Sequence, residues 1–268
     1  MESKTTSGGF QVAVIDREQS KLGMGGSTKI TDRTVYYYAE KTEDGSMFVQ
    51  ALNGNFVPAG EKTPVEPEKF VDRYKPEPLV YFNKVKPAMD DLQRNLDKAE
   101  QHLSNNNLEK AEANFKKALA VNSENVKAIF GLGITYLNDG KLEDAGGIFN
   151  DIMSLNLAFG EEHTHLFNEF GIKMRKAGML DKAVEYYQKA IKLNENDDHL
   201  HFNVARIYFE LKDCGKSRES VVKALEINPE FTEAKKLLQA VEKMMRENKQ
   251  EEKDEEPAAG EAQPVAAG

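Results

Sequence analysis

Apolar residues recur three and four apart along most of this chain, and give way to β-branched and aromatic runs only in a short stretch near its start. From Asn125 to Phe149 the pattern is clearest. Ile129, Leu132, Gly133 and Tyr136 precede Asn138-Asp139-Gly140-Lys141-Leu142, and Ala145 and Phe149 follow. Helical spacing on both sides of a Gly-containing turn predicts a helical hairpin. One hairpin buries little of its apolar face alone and needs copies beside it. The copies are present: Ala111/Phe115 comes before, Ala183/Tyr187 and Ser217/Val221 after, with anchors spaced 34, 38 and 34 residues apart. Two further columns move in step, Ala118, Ile152, Ala190, Ala224 and Leu108, Leu142, Leu180, Cys214. The first-helix pattern recurs as Phe167/Phe170/Gly171/Met174 and His201/Val204/Ala205/Tyr208, and in polar form as Asn95/Lys98/Ala99/His102.

This pattern resembles the tetratricopeptide repeat, a 34-residue helix–turn–helix unit, over Leu92 to Phe231. The units fall at about 92–125, 126–159, 164–197 and 198–231, and the fourth closes on Asn228-Pro229. No unit carries Trp at its fourth position. The polar first unit is what a terminal repeat shows. The resemblance implies an α-solenoid whose first helices line a concave groove for a peptide or helix of another protein. Mapped onto this chain, the implied partner-binding residues are Phe130, Ile134 and Leu137; then His165, Asn168, Glu169 and Ile172; then His199, Phe202, Asn203, Arg206 and Phe209. Gln93, Leu96 and Glu100 are the first unit's counterparts. Of the positions that hold a chaperone's C-terminal carboxylate in this family, only Asn203 has a fitting residue, so a chaperone clamp is not expected. Ala99, Gly133, Gly171 and Ala205 are expected where helices cross closely, with Phe115, Phe149 and Tyr187 filling the space between hairpins.

The ends of the chain read differently. Residues 1–32 are Gly-, Ser- and Lys-rich and are expected to be flexible. Gly23-Met-Gly-Gly-Ser-Thr-Lys29 has its Thr before its Lys, the wrong order for a phosphate loop. In 33–76, β-branched and aromatic runs alternate with Asp44-Gly45 and Asn53-Gly54, which predicts a three-stranded antiparallel β-meander with strands near 34–40, 46–52 and 56–58. Tyr36, Tyr38 and Phe48 are its candidate covered face. A short helix follows at Pro67–Tyr74. The array with its capping helix is expected over 79–249, with Pro87 as a kink or a fresh start. Thr232 to about Glu247 is the cap, and 250–268 is expected to be a disordered tail. The fold class is therefore mainly α.

Composition narrows the function. Basic residues number 36 and acidic 45, a net charge of −9, which argues against a general nucleic-acid surface. No run is apolar enough to span a membrane. Neither a signal-peptide core nor a second Cys beside Cys214 is present, so a soluble cytoplasmic protein is expected. Cys214 stands in a Leu column and reads as a packing residue. His163/His165 and His199/His201, with Glu161 or Glu162, are the only metal-like material, and read as groove and packing residues rather than zinc ligands. No catalytic constellation is evident. The expectation is a non-enzymatic interaction scaffold with no cofactor. A dedicated chaperone or assembly factor for a secretion or appendage subunit is the alternative, and a metal-binding sensor or enzyme the third reading.

Overall fold

A computed structural model of the chain describes residues 9–22, 29–155, 158, 160 and 163–255. The expectations for residues 1–8, for the glycine-rich stretch 23–28, for Glu161 and Glu162 and for 256–268 lie outside the described residues. The chain divides into two compact units, Met1–Phe170 and Gly171–Gly268.

The first unit begins with strands, which corrects the expectation of a structureless start. β1 (Phe10–Leu22) and β2 (Lys29–Lys41) pair antiparallel, from Phe10 opposite Lys41 to Leu22 opposite Lys29. β3 (Met47–Ala51), β4 (Thr63–Pro64) and β5 (Lys75–Pro76) complete a sheet of order β4-β3-β2-β1-β5 among the described residues. The third strand expected at 56–58 is reduced to one bridge, Leu52 to Pro58. The physical reason for the missed strand is that the sheet is covered on both faces. Ala13, Val14 and Ile15 are consecutive and all buried, so no alternation marks them. On one face Val14, Ala39, Met47 and Val49 pack under Phe70 and Tyr74, at the end of α1 (Pro67–Arg73). On the other, Ala13 and Tyr38 meet Tyr81 and Val85. Of the aromatic residues expected on a covered face, Tyr38 is buried, Phe48 half-buried, and Tyr36 remains 36% exposed.

Tyr81–Val85 forms a π turn joining α2 (Pro78–Val80) to α3 (Lys86–Ser104). Pro87 has no N–H and its ring crowds the carbonyl four residues back. The widened turn, with the Lys86 N–H donating to the Tyr81 carbonyl, absorbs that conflict without ending the helix.

The remaining helices are α4 (Leu108–Val121), α5 (Val126–Asp139), α6 (Leu142–Ser154), α7 (Thr164–Lys176), α8 (Leu180–Leu193), α9 (Asp198–Glu210), α10 (Cys214–Ile227) and α11 (Thr232–Glu255). They form the hairpins α3/α4, α5/α6, α7/α8 and α9/α10. Each hairpin turn carries one left-handed residue: Asn106, Gly140, Gly178 and Lys212, with φ of 57°, 74°, 79° and 60°. At Gly140 this conformation lets the Lys141 N–H reach the Tyr136 carbonyl, closing the end of α5. The anchor column Ala111, Ala145, Ala183 and Ser217 is fully buried. Ser217 Oγ donates to the Ala205 carbonyl at 2.9 Å, which satisfies its hydroxyl there. Phe115, Phe149 and Tyr187 are each at most 3% exposed, as expected of hairpin fillers, and Cys214 is buried. A Cβ on Gly131 would stand 2.2 Å from the Phe115 ring, so the small residue is what admits that ring.

The sheet is tied to the array within the first unit. Asn53 Nδ2 donates to the Val121 carbonyl at 2.8 Å and Asn55 Nδ2 to the same carbonyl at 2.9 Å, at the C-terminal end of α4. Asn122 Nδ2 returns a bond to the Pro58 carbonyl at 3.2 Å. The loop between β3 and β4 therefore caps a repeat helix. In the second unit α11 packs Ala234, with Leu237 and Leu238, against Ala205, Val221 and Ala224. It continues to Glu255, past the expected end near Glu247 and into the stretch expected to be a disordered tail, because six of the eight residues in 248–255 are Lys, Gln or Glu, which are good helix formers.

Candidate functional site

The second unit presents a stripe on α9. Asp197 starts that helix, its carboxylate accepting from the backbone N–H groups of His199 and Leu200. Leu200, Val204, Ile207 and Tyr208 are buried. His199, Phe202, Arg206 and Phe209 lie on the remaining side, where His199 is exposed and the other three half-buried. Asn203, 9% exposed, sits at the margin. Phe231, just before α11, stacks between His199 and Phe202, with ring centroids 4.9 and 4.8 Å away. The Arg206 guanidinium lies over the Phe202 ring, 5.5 Å from its centroid. The result is a continuous ladder, Arg206–Phe202–Phe231–His199, half open to solvent.

Charge is unevenly matched beside this ladder. Arg175, at the end of α7, pairs with Glu210 at the end of α9, and its side chain is 13% exposed. Its Nε is buried and has no hydrogen-bond partner. Arg206 has no carboxylate within ion-pair distance among the described residues. Burial, then the positive charge of Arg175, holds the Arg206 guanidinium below its ordinary pKa, and Glu210 pulls the other way. The Tyr187 hydroxyl, close against Gly171, feels both arginines; burial nonetheless pushes its pKa up. Sequence reasoning found Arg206 but missed Arg175. The available signal was its place three residues after Ile172 on the α7 stripe, where the side chain is long and cationic rather than apolar.

The other expected groove residues fare differently. Phe130, Ile134 and Leu137 are 0, 3 and 8% exposed, so this trio is core and not open surface. Phe130 packs edge-on against Phe170 at 5.9 Å, and Gly133 makes room for that ring. His165 and Glu169 of the first unit are exposed, Asn168 half-buried; Ile172 of the second unit is half-buried. In the first repeat Leu96 is buried, and with Leu92 and Gln93 it lines a cleft of about 530 Å³ whose other walls include Tyr38, Gln50 and Lys62 of the sheet region.

Among the described residues, His199 and His201 are held by partners within the protein. His201 is buried, with Nε2 3.0 Å from the Glu195 carbonyl, a packing role. Asp197, Asp198 and His199 bring possible ligand atoms within 4.8 Å of one another. Asp197, however, caps the helix, and Asp198 accepts from Asn228 Nδ2 at 2.7 Å while contacting His199 Nδ1 at 2.6 Å. These groups are satisfied by the protein itself.

Comparison with known proteins bears on the repeats directly. Residues 96–152 match one tetratricopeptide repeat family model, and 175–197 and 198–231 match another. The matched segments of the helical array, residues 96–152 and 175–231, are tetratricopeptide repeats. Similar curated proteins include anaphase-promoting complex subunit 3 of Schizosaccharomyces pombe, 27% identical over 146 residues, which is 54% of this chain and 21% of that protein. The Hsp70-Hsp90 organising protein of Plasmodium falciparum is 35% identical over 82 residues, 29% of this chain and 14% of that protein. The chain thus spans about a fifth or less of the length of these relatives. Among solved structures, a tetratricopeptide repeat protein from Parabacteroides merdae aligns over 61% of this chain and 64% of its own, at 19% identity and a TM-score of 0.47. Tetratricopeptide arrays are in general protein-interaction scaffolds. No helix among the described residues is long and apolar enough to cross a membrane.

Proposed function

We propose that this chain is a non-enzymatic scaffold that holds a peptide or helix of another protein, and that the tetratricopeptide surface formed by α9 in the second unit is where it does so. The observation that carries this reading is the half-open ladder of Phe202, Phe231 and His199 flanked by Arg206. Aromatic rings and arginine are the groups that supply most of the free energy at protein interfaces, and rings already packed on one another lose less entropy when covered. The first unit offers no equivalent at the matching positions, because Phe130, Ile134 and Leu137 are already buried. A relative whose name describes an organiser of two other proteins is in keeping with a scaffold role.

The test is capture. Full-length chain and the double variant Phe202→Ala/Arg206→Ala are immobilised and exposed to extract of the native cell. The expected outcome is that specific partners bound by the parent are lost from the variant, while far-UV circular dichroism shows unchanged helicity. Undiminished capture by the variant would place binding elsewhere on the molecule.

A further inference from the structure

The arginines beside the ladder say what kind of segment it suits. Arg175 and Arg206 bring two guanidinium charges to one face, and among the described residues Glu210 is the one carboxylate paired with them there. Both are at least partly withdrawn from water, with Arg175 at 13% side-chain exposure, so the imbalance is poorly screened. Each guanidinium also has unused donors. Arg175 reaches Glu210 through Nη1 and leaves its Nε–H without an acceptor. The Arg206 guanidinium carbon lies over the Phe202 ring, 5.5 Å from its centroid, with no carboxylate within ion-pair distance among the described residues, so its N–H fork is open to an acceptor. A fork of this kind pairs best with a carboxylate, whose two oxygens accept in parallel.

Resting on the scaffold reading above, we infer that Arg206, backed by Phe202 and by the Arg175–Glu210 pair, receives an Asp or Glu side chain of the bound segment. An apolar residue next to that acid lies on the Phe202–Phe231 stack. The site therefore selects an acidic-apolar peptide motif from within a chain. The carboxylate supplies what Glu210 does not: a second negative charge for the second guanidinium. A purely apolar segment would cover Arg206 and bury its charge unpaired, which is costly. A basic segment would add a third positive charge to the face.

Random twelve-residue peptides fused through their C-termini to a phage coat protein, so that no C-terminal carboxylate is free, are selected on the full-length chain. Enriched sequences are then resynthesised and titrated by fluorescence anisotropy. The expected result is enrichment of Asp or Glu beside Leu, Ile or Phe. Replacing that acid by its amide, or Arg206→Gln in the protein, weakens binding by about tenfold or more. Arg206→Lys, which keeps charge but not the fork, retains part of the affinity, and each variant's helicity is verified by circular dichroism. Enriched peptides that lack an acid, or that bind Arg206→Gln as tightly as the parent yet are lost on Phe202→Ala, overturn this inference and leave the scaffold reading standing. Failure of any peptide to enrich, or indifference to both Phe202→Ala and Arg206→Gln, overturns the ladder as a binding face altogether.

Discussion

The bond between the sheet and the first repeat is open to a quantitative test at Asn53. Its Nδ2 donates to the Val121 carbonyl at 2.8 Å, and its Oδ1 accepts from the Asn55 and Val57 backbone N–H groups at 2.9 and 3.2 Å. Asn53→Ala removes three hydrogen bonds at about 0.5–1.5 kcal/mol each, so the expected loss is about 1.5–4.5 kcal/mol. Asn55, exposed, donates to the Val121 and Ala120 carbonyls at 2.9 and 3.3 Å, and Asn55→Ala is expected to cost only about 0.5–1 kcal/mol. The two share an acceptor, so the double variant is expected to lose less than the sum. Asn53→Asp is expected to exceed Asn53→Ala, because it loses the donor and sets a negative charge at the negative end of a helix dipole. Urea unfolding of the full chain gives the total. Amide hydrogen exchange in α4 (Leu108–Val121) and around β3 (Met47–Ala51) gives the location. Faster exchange in both segments is expected with Asn53→Ala. Acceleration confined to the sheet, with α4 unchanged, would refute the coupling and show the sheet opening by itself.

Three other substitutions address the repeats. Phe149→Ala, at a residue 3% exposed, is expected to lower unfolding stability by about 3–5 kcal/mol in urea titration, and a loss under about 2 would mean the void is refilled. Lys212→Gly relieves a left-handed non-glycine residue and is expected to gain up to about 1 kcal/mol, whereas Gly140→Ala at the equivalent turn loses about 1 kcal/mol or more, both read as shifts in urea midpoint. Glu112 is held below the usual carboxylate range first by the hydrogen bond from Lys116 and then by that from Lys141. A lowered folded pKa contributes stability above the unfolded value of about 4.3 and loses it as pH falls through the folded value. The deficit of Glu112→Gln is therefore expected at neutral pH and should vanish in acid; a deficit that persists there would trace to packing.

The helical register was legible because three columns of residues repeat together at 34, 38 and 34, and the left-handed turn residues Asn106, Gly140, Gly178 and Lys212 follow the same spacing. Two of those four are not glycine, so the turn conformation itself was not readable at Asn106 and Lys212. The first strand was hidden because Ala13, Val14 and Ile15 are buried in sequence between two covered faces, where period-two alternation has no reason to appear. Gly131 escaped notice because it lies two residues before the motif glycine, Gly133. What makes it necessary is the ring of Phe115, which comes from the preceding repeat.

Exposure was the property the sequence carried least, and it decides the site. Phe130 and Phe202 hold equivalent positions in their repeats, and both are aromatic. One is sealed against Phe170; the other lies half open beneath Arg206. Register assigns a residue to a helix face, but whether that face meets solvent depends on what the rest of the chain lays over it. In the first unit the sheet helps wall the inner side of α3, which reconciles the polar packing residues of the first repeat with a stable fold: its apolar contacts lie upstream, at Tyr81, Val85 and Met89. A repeat whose neighbour is a sheet does not need the packing residues a repeat neighbour would demand. The same replacement gives that end a cleft shared between sheet and repeat, whereas the proposed binding ladder on α9 is built from helices of the second unit alone.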